Sequence, residues 1–509
     1  MERRLRLTGA LAGLVTLVAM LALRGVTGQE SLVELVAETV LQATPIVVFE
    51  FFLRLLQGLA KPLLLTSVIL GFVWVFAGIG RLDTGSAVAM SRGRRVLRVL
   101  WLVLGLWIPS TLFAAAITTF VPSVSLSNGS LLGLTFALLV IATVYALAFY
   151  ASYPLAVAAL ARASTRVDST AVDRPPADLG RRQLIARTAV AGVGLLSVGY
   201  LGKFVSGVRG GAIGGGHDAI PDPVTPNNQF YLISKNFVDP KLSEDDWSLE
   251  ITGFVGNRMK LRYLDLFNMP SQEQMASLTC ISNEVGGDLL SNAVWTGVKL
   301  ADLLQAASVQ PSASEVILYA KDGYTESLPL SKALAPTTML VYLMNGVSLP
   351  KRHGFPARLI VPGKYGIKNV KWLTKIELAA GDFRGYWQQR GWTEDATIKT
   401  ISRFDVPASR AIVPLGPVAL GGVAFAGDRG IRAVELSIDD GDWLPVDELT
   451  AVGPLSWSLW RSTWNPPKSG TYALRVRATD GTGAIQLAEK AKPIPNGASG
   501  YHKIDIGVT

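Results

Sequence analysis

Cys280 is the only cysteine in the chain, set in the run Leu278-Thr-Cys-Ile-Ser-Asn-Glu-Val-Gly-Gly287. One thiol cannot close an intramolecular disulfide. Cysteine zinc sites and iron–sulfur clusters need several thiolates, so neither is expected. Three readings remain: a buried small hydrophobe, a reactive thiol, or a single thiolate ligand to a metal that arrives with a cofactor. The histidines are His217, His353 and His502. None falls in an apolar run of spanning length and there is no Cys-x-x-Cys-His, so no haem is expected. No run of Lys and Arg interleaved with aromatics suggests a nucleic-acid partner.

The elements that must position this chemistry divide at about residue 205. Beyond it, basic and acidic residues balance at 30 each, so the whole net charge of +9 lies in the first part. There it reports topology. Apolar runs at about 5–23, 59–80, 97–121, 131–161 and 184–205 predict five membrane spans. Arg3, Arg4 and Arg6, then Arg81, Arg92, Arg94, Arg95 and Arg98, then Arg162, Arg166, Arg174, Arg181, Arg182 and Arg187 mark alternate loops as cytoplasmic. An odd number of spans places everything after residue 206 outside the cytoplasm. The 31–57 segment carries Glu34 and Glu38 on the same helical face as Glu30. It reads as an amphipathic helix on the outer surface, and a sixth span there would reverse the parity. Arg181-Arg182 before the fifth run is either a twin-arginine export signal or an ordinary basic flank. The runs lack the buried acids and lysines of ion pathways, so anchoring or partner contact is expected rather than transport.

A Gly-rich linker at 207–220 leads into the second part. From 221 to 405 the pattern is mixed α and β. Trp247–Phe254, Glu315–Tyr319 and Arg358–Val361 are predicted strands. Lys299–Ala307 and Leu330–Leu334 are predicted helices. From 406 to 509 the pattern is all-β, with strands predicted at Val434–Ile438, Ser456–Trp460 and Tyr472–Ala478. That spacing suggests an immunoglobulin-like sandwich. The Asp439-Asp-Gly-Asp442 cluster is a hairpin tip or, without a spaced acidic ladder, a poor calcium site.

His353-Gly-Phe-Pro-Ala-Arg358, Val361-Pro-Gly-Lys-Tyr-Gly366 and Asn369-Val-Lys-Trp-Leu373 resemble the molybdopterin-binding core of the sulfite oxidase family. Asn228-Gln-Phe-Tyr231, Ser327-Leu-Pro-Leu, Met344-Asn-Gly and Trp295-Thr-Gly297 fit the same pattern. The resemblance runs from about 220 to 490 and leaves the membrane part uncovered. It implies that Cys280 is the molybdenum thiolate. It also implies that Asn228, Tyr231, Asp322, His353, Arg358, Gly363, Gly366, Lys368 and Lys371 hold the pyranopterin and its phosphate. Lys235 and Asn236 stand where the family has an Arg and a His. The all-β tail implies a homodimer surface.

The resemblance also departs from the family. After the cysteine the family carries arginines that bind an oxyanion, and here Glu284 takes that place. Trp392 replaces a tyrosine after Trp387-Gln-Gln-Arg390. Cys280, Trp295, Glu284, Arg390 and Trp392 are therefore expected to line a pocket for a small sulfur- or nitrogen-containing compound. The implied activity is two-electron oxo-transfer, with electrons exchanged with a separate quinone or cytochrome. The alternative is a membrane-tethered binding or sensing module that keeps the fold without metal.

Overall fold

The computed structural model describes residues 2–27, 31–44, 48, 60–82, 92–120, 135, 137–149, 219–236 and 239–509. The chain forms two compact units. One comprises residues 1–210 with Asn236–Val238, the other residues 211–235 with 239–509.

The first unit is helical: α1 (Glu2–Thr27), α2 (Leu32–Ala43), α3 (Ala60–Leu82), α4 (Arg92–Phe120) and a helical stretch at 137–149. Leu17, Met20 and Leu21 of α1 share a core with Val33 and Ala37 of α2 and Leu65 and Ile69 of α3. Each set recurs at three- or four-residue spacing, which puts it on one helical face. Among the described residues, only Pro62–Ile79 is long and apolar enough to cross a membrane. The apolar helical runs Ala12–Leu23, Leu97–Leu112 and Ala137–Phe149 are shorter. Five spans are therefore not supported. Arg6 and Arg24 close in on the first run, and Arg94, Arg95 and Arg98 occupy the start of α4. The 184–205 run, Arg181-Arg182 and most of the 207–220 linker lie outside the described residues. Glu34 is also not on an exposed polar stripe. It is buried and closes a capping box, accepting from the Ser31 amide (2.9 Å) and hydroxyl (2.8 Å).

Among the described residues, the second unit holds four sheets. The first part of the chain supplies β1 (Ser248–Gly253), β2 (Met259–Arg262), β3 (Gln272–Thr279), β4 (Leu290–Lys299), β5 (Glu315–Ala320), β6 (Thr325–Pro329), β7 (Met339–Met344), β8 (Val347–Ser348), β9 (Arg358–Ile360) and β10 (Leu373–Ala379). One sheet runs β2-β1-β10-β5-β6, and another runs β3-β4-β7-β8 with β9 also paired to β7. The predicted strands at 247–254, 315–319 and 358–361 correspond to β1, β5 and β9. Helix Leu300–Ala306 forms because Leu300, Leu303 and Leu304 face one way, and all three are buried with Trp247, Leu249 and Ile251. β4 crosses β7 at a register shift next to Gly297, where a Cβ would stand 2.2 Å from the Leu340 carbonyl oxygen.

The remaining chain is a two-sheet β-sandwich. One sheet is β11 (Ile401–Val406), β13 (Val418–Phe425), β17 (Ser458–Trp464) and β16 (Glu448–Ala451). The other is β12 (Ile412–Val413), β19 (His502–Val508), β18 (Gly470–Asp480), β14 (Ile431–Ile438) and β15 (Leu444–Pro445). Phe404, Leu420 and Trp460 from the first sheet meet Val434, Leu474, Val476 and Ile506 from the second in one core. This apolar layer, alternating with outward polar side chains, is what holds two sheets face to face.

Candidate active site

Cys280 follows the last residue of β3. It is buried in a small core with Phe230, Tyr231, Ala276, Trp295, Met339, Val341 and Ile360. β3 and β4 are antiparallel partners, and the turn between them carries the cysteine loop. The Cys280 amide donates to Leu289 O (3.0 Å) and its carbonyl accepts from the Asn283 amide (3.0 Å). The Asn283 side chain closes the loop by accepting from the Leu289 amide (3.0 Å). Burial pushes the Cys280 thiol above its ordinary pKa.

A second segment comes against this cysteine. The Pro-Gly turn at 361–366 is held by Asn369, whose side-chain oxygen accepts from the Val361 amide (2.7 Å). Its side-chain nitrogen donates to the Lys364 and Tyr365 carbonyls. Gly366 then lies close to the Tyr231 hydroxyl, Thr279 O and the Cys280 Cα; an added Cβ would stand 2.9, 3.4 and 3.9 Å from them. Burial raises the Tyr231 hydroxyl far above its usual range, with the neighbouring Cys280 adding to the shift. Tyr365, which the motif reading passed over, is buried beside the same cysteine, and burial lifts it to about 12.

The cationic side is built from Arg358, His353 and Lys371. Arg358, on β9, is buried and donates to His353 O (3.0 Å) and Asn369 O (3.1 Å). Its guanidinium lies over the Trp295 ring at 5.3 Å. Among the described residues its Nε has no hydrogen-bond partner. Burial holds it down to about 10. His353 Nε2 meets Asn227 O at 3.0 Å, and burial with the nearby Arg358 charge lowers it to about 4, so the imidazole is neutral at pH 7. Lys371 is half-buried and donates to Ile233 O and Arg352 O (both 3.1 Å); burial pushes it down to about 8. Asp322 is buried, accepts the Tyr324 amide (3.1 Å) and raises Lys371 by its charge. Trp372 holds φ 53, unusual for a bulky residue, as the chain rounds Gly354.

Several expected roles change. Lys368 does not reach into this cluster. It is buried in an ion pair with Glu326 (2.8 Å) and also donates to Ser327 O (3.0 Å). Gly363 sits against Asp428, whose carboxylate would lie 2.4 Å from an added Cβ. Asn228 is exposed. Asn227 makes the contacts, donating to Met344 O and accepting from Asn345. Trp295 is completely buried and donates to Ala276 O (3.0 Å), so it backs the site and does not line a pocket. Glu284 is exposed. It lines a cleft with Tyr365, Arg403, Gln486 and Ser499 that does not include Cys280. Asn236 groups with the first unit.

Arg390 and Trp392 belong to a separate aromatic segment. Arg390 stacks on Tyr386 (3.7 Å), and Lys235 also lies over that ring (5.2 Å). Trp392 stacks on Trp387 (4.3 Å, 16°), and its buried Nε1 has no hydrogen-bond partner among the described residues. Gln388 anchors the segment by donating to Glu326 (3.1 Å). The Glu326–Lys368 pair, which the sequence reading missed, therefore holds this segment. Tyr324 bridges from Glu326 (3.0 Å) to Ile367 O (2.9 Å), next to Gly366.

The chemistry of this donor set fits a molybdopterin. A soft sulfur, a close-approach glycine and a buried guanidinium with an unspent N–H match a metal, a flat ring system and a phosphate. The comparisons with known proteins agree. Residues 236–387 match the oxidoreductase molybdopterin binding domain. The chain is 29% identical over 343 residues to the mitochondrial sulfite oxidase of Drosophila melanogaster, covering 56% of this chain and 59% of that one. It is 36% identical over 146 residues to the uncharacterized oxidoreductase YuiH of Bacillus subtilis (strain 168), covering 29% of this chain and 72% of that protein. Among solved structures, the sulfane dehydrogenase SoxCD from Paracoccus pantotrophus aligns with a TM-score of 0.50 and 24% identity, over 56% of this chain and 82% of that one; this supports the fold. A cysteine-centred site of this composition and a relative covered over most of its length lead to one conclusion: the chain belongs to the sulfite-oxidase-like family of molybdopterin oxidoreductases.

Proposed function

We propose that this chain is a membrane-anchored molybdopterin enzyme, with its catalytic unit on the extracytoplasmic side. In this reading it carries out oxo-transfer on a small sulfur- or nitrogen-containing compound. A separate quinone or cytochrome exchanges the electrons. The observation that carries the reading is the meeting of Cys280, Tyr231 and Gly366 beside the Arg358 guanidinium, whose Nε has no partner among the described residues. When bound, the cofactor supplies the two-electron oxo-transfer chemistry at molybdenum.

The chain's own residues supply the rest. Cys280 offers one thiolate. Arg358 and Lys371 provide positive charge for a phosphate, and neutral His353 links Arg358, which donates to its carbonyl, to Asn227. Arg390, braced on Tyr386, and the unpartnered Trp392 indole belong to the neighbouring aromatic segment held by Glu326. Glu284 is exposed and lines a cleft with Thr279, Asn283 and Tyr365. Sulfite, sulfoxides and N-oxides all belong in the substrate screen.

Anchoring is supported by the Pro62–Ile79 span and by apolar side chains left exposed on α3 and α4: Leu70, Trp74, Trp101 and Leu112. The test is metal and pterin analysis of the full chain purified from a cofactor-competent host, with a viologen-coupled screen in both directions. Cys280→Ser is expected to keep the fold and pterin and lose turnover. Full activity in that variant, or wild type without molybdenum, refutes the proposal.

A further inference from the structure

The Cys280 sulfur has a close polar neighbour within its own loop. Ser282 Oγ lies 2.9 Å from Sγ. Burial dominates the thiol's upward pKa shift, and the Ser282 hydroxyl with the Ser282 and Ile281 amides opposes it. The loop geometry holds Ser282 in place from both ends. The Asn283 amide donates to Cys280 O (3.0 Å), and Asn283 Oδ1 takes the Leu289 amide (3.0 Å). Farther along, Arg403 of the sandwich donates to Gly287 O (2.7 Å).

In the free thiol either atom could donate. A thiolate ligand has no proton, so between these two atoms only the serine hydroxyl can donate. A hydrogen bond to a ligating sulfur draws electron density back onto it. Less is then donated to the metal, and the reduced, electron-rich state is favoured.

We propose that Ser282 is a positioning residue: its hydroxyl donates to the Cys280 thiolate and raises the reduction potential of the metal centre that thiolate binds. The inference rests on the reading of Cys280 as the metal ligand. It assigns Ser282 a control over the driving force for electron exchange, independent of which substrate is used.

The test uses the full chain with its cofactor. Ser282→Thr keeps the hydroxyl; Ser282→Val has nearly the same shape and lacks it. Molybdenum content is measured first, then the potential by redox titration with electron paramagnetic resonance, and the sulfur-to-metal charge-transfer absorption. The Thr variant is expected to match wild type. The Val variant is expected to shift the one-electron equilibrium about tenfold toward the oxidised state, about 59 mV lower, with the absorption moved to lower energy. Equal potentials in the Thr and Val variants at equal metal content overturn the inference while leaving Cys280 as ligand. If the Val variant does not retain metal, Ser282→Ala against Ser282→Thr makes the same comparison. Wild type without molybdenum overturns the ligand reading and this inference together.

Discussion

Two buried cations, Arg358 and Lys368, have opposite surroundings. Lys368 is matched by Glu326, and that carboxylate is further satisfied by the Tyr324 hydroxyl, the Ser327 amide and Gln388. Arg358 has carbonyl partners and an unspent Nε. The first arrangement is internally satisfied; the second, in the proposed reading, leaves a donor for the cofactor's phosphate. Removing one partner of a buried ion pair strands the other, at a cost of about 3–5 kcal/mol. Lys368→Met is therefore expected to lower stability by that amount in denaturant unfolding, and Lys368→Met with Glu326→Gln to recover part of it. A loss under about 1 kcal/mol for the single variant would show that the pair is not buried as described.

At the scale of elements, the cysteine loop is held by the sandwich as well as by its own strands. Gly286 has φ 75, and an added Cβ would stand 2.3 Å from His502 Nε2 at the start of β19. His502 Nδ1 in turn accepts the Phe404 amide (3.0 Å), so the ring has little freedom to retreat. Arg403, paired with Asp405 (2.9 Å), clamps the neighbouring Gly287 carbonyl. Gly286→Ala is both strained and sterically blocked. It should displace the loop and reduce retained molybdenum severalfold while the far-ultraviolet circular dichroism stays unchanged. Wild-type metal content in that variant would show that the sandwich does not hold the loop in register.

For the whole molecule, the proposed location follows from charge asymmetry and the exposed apolar faces of α3 and α4. A periplasmic-type reporter fused after residue 206 is expected to be active and a cytoplasmic-type reporter silent. The reverse pattern would remove the extracytoplasmic assignment without touching the chemistry of the site.

The sequence by itself made Cys280 chemically singular; it was the family resemblance of the surrounding motifs that implied His353, Arg358 and Gly366 belong with it. The sequence also marked the strands around 247–254 and 315–319, where apolar patterning sets which face is buried. Only the tertiary structure decided which cations were already spent. Lys368 meets Glu326, Gly363 meets Asp428 and Gly286 meets His502 across long stretches of chain. A motif cannot report such partners, because charge compensation and close approach depend on what folding brings alongside. The same limit governed Glu284. Its position in the motif placed it among the residues expected to line the pocket, whereas folding leaves it exposed in a cleft shared with Arg403, Gln486 and Ser499.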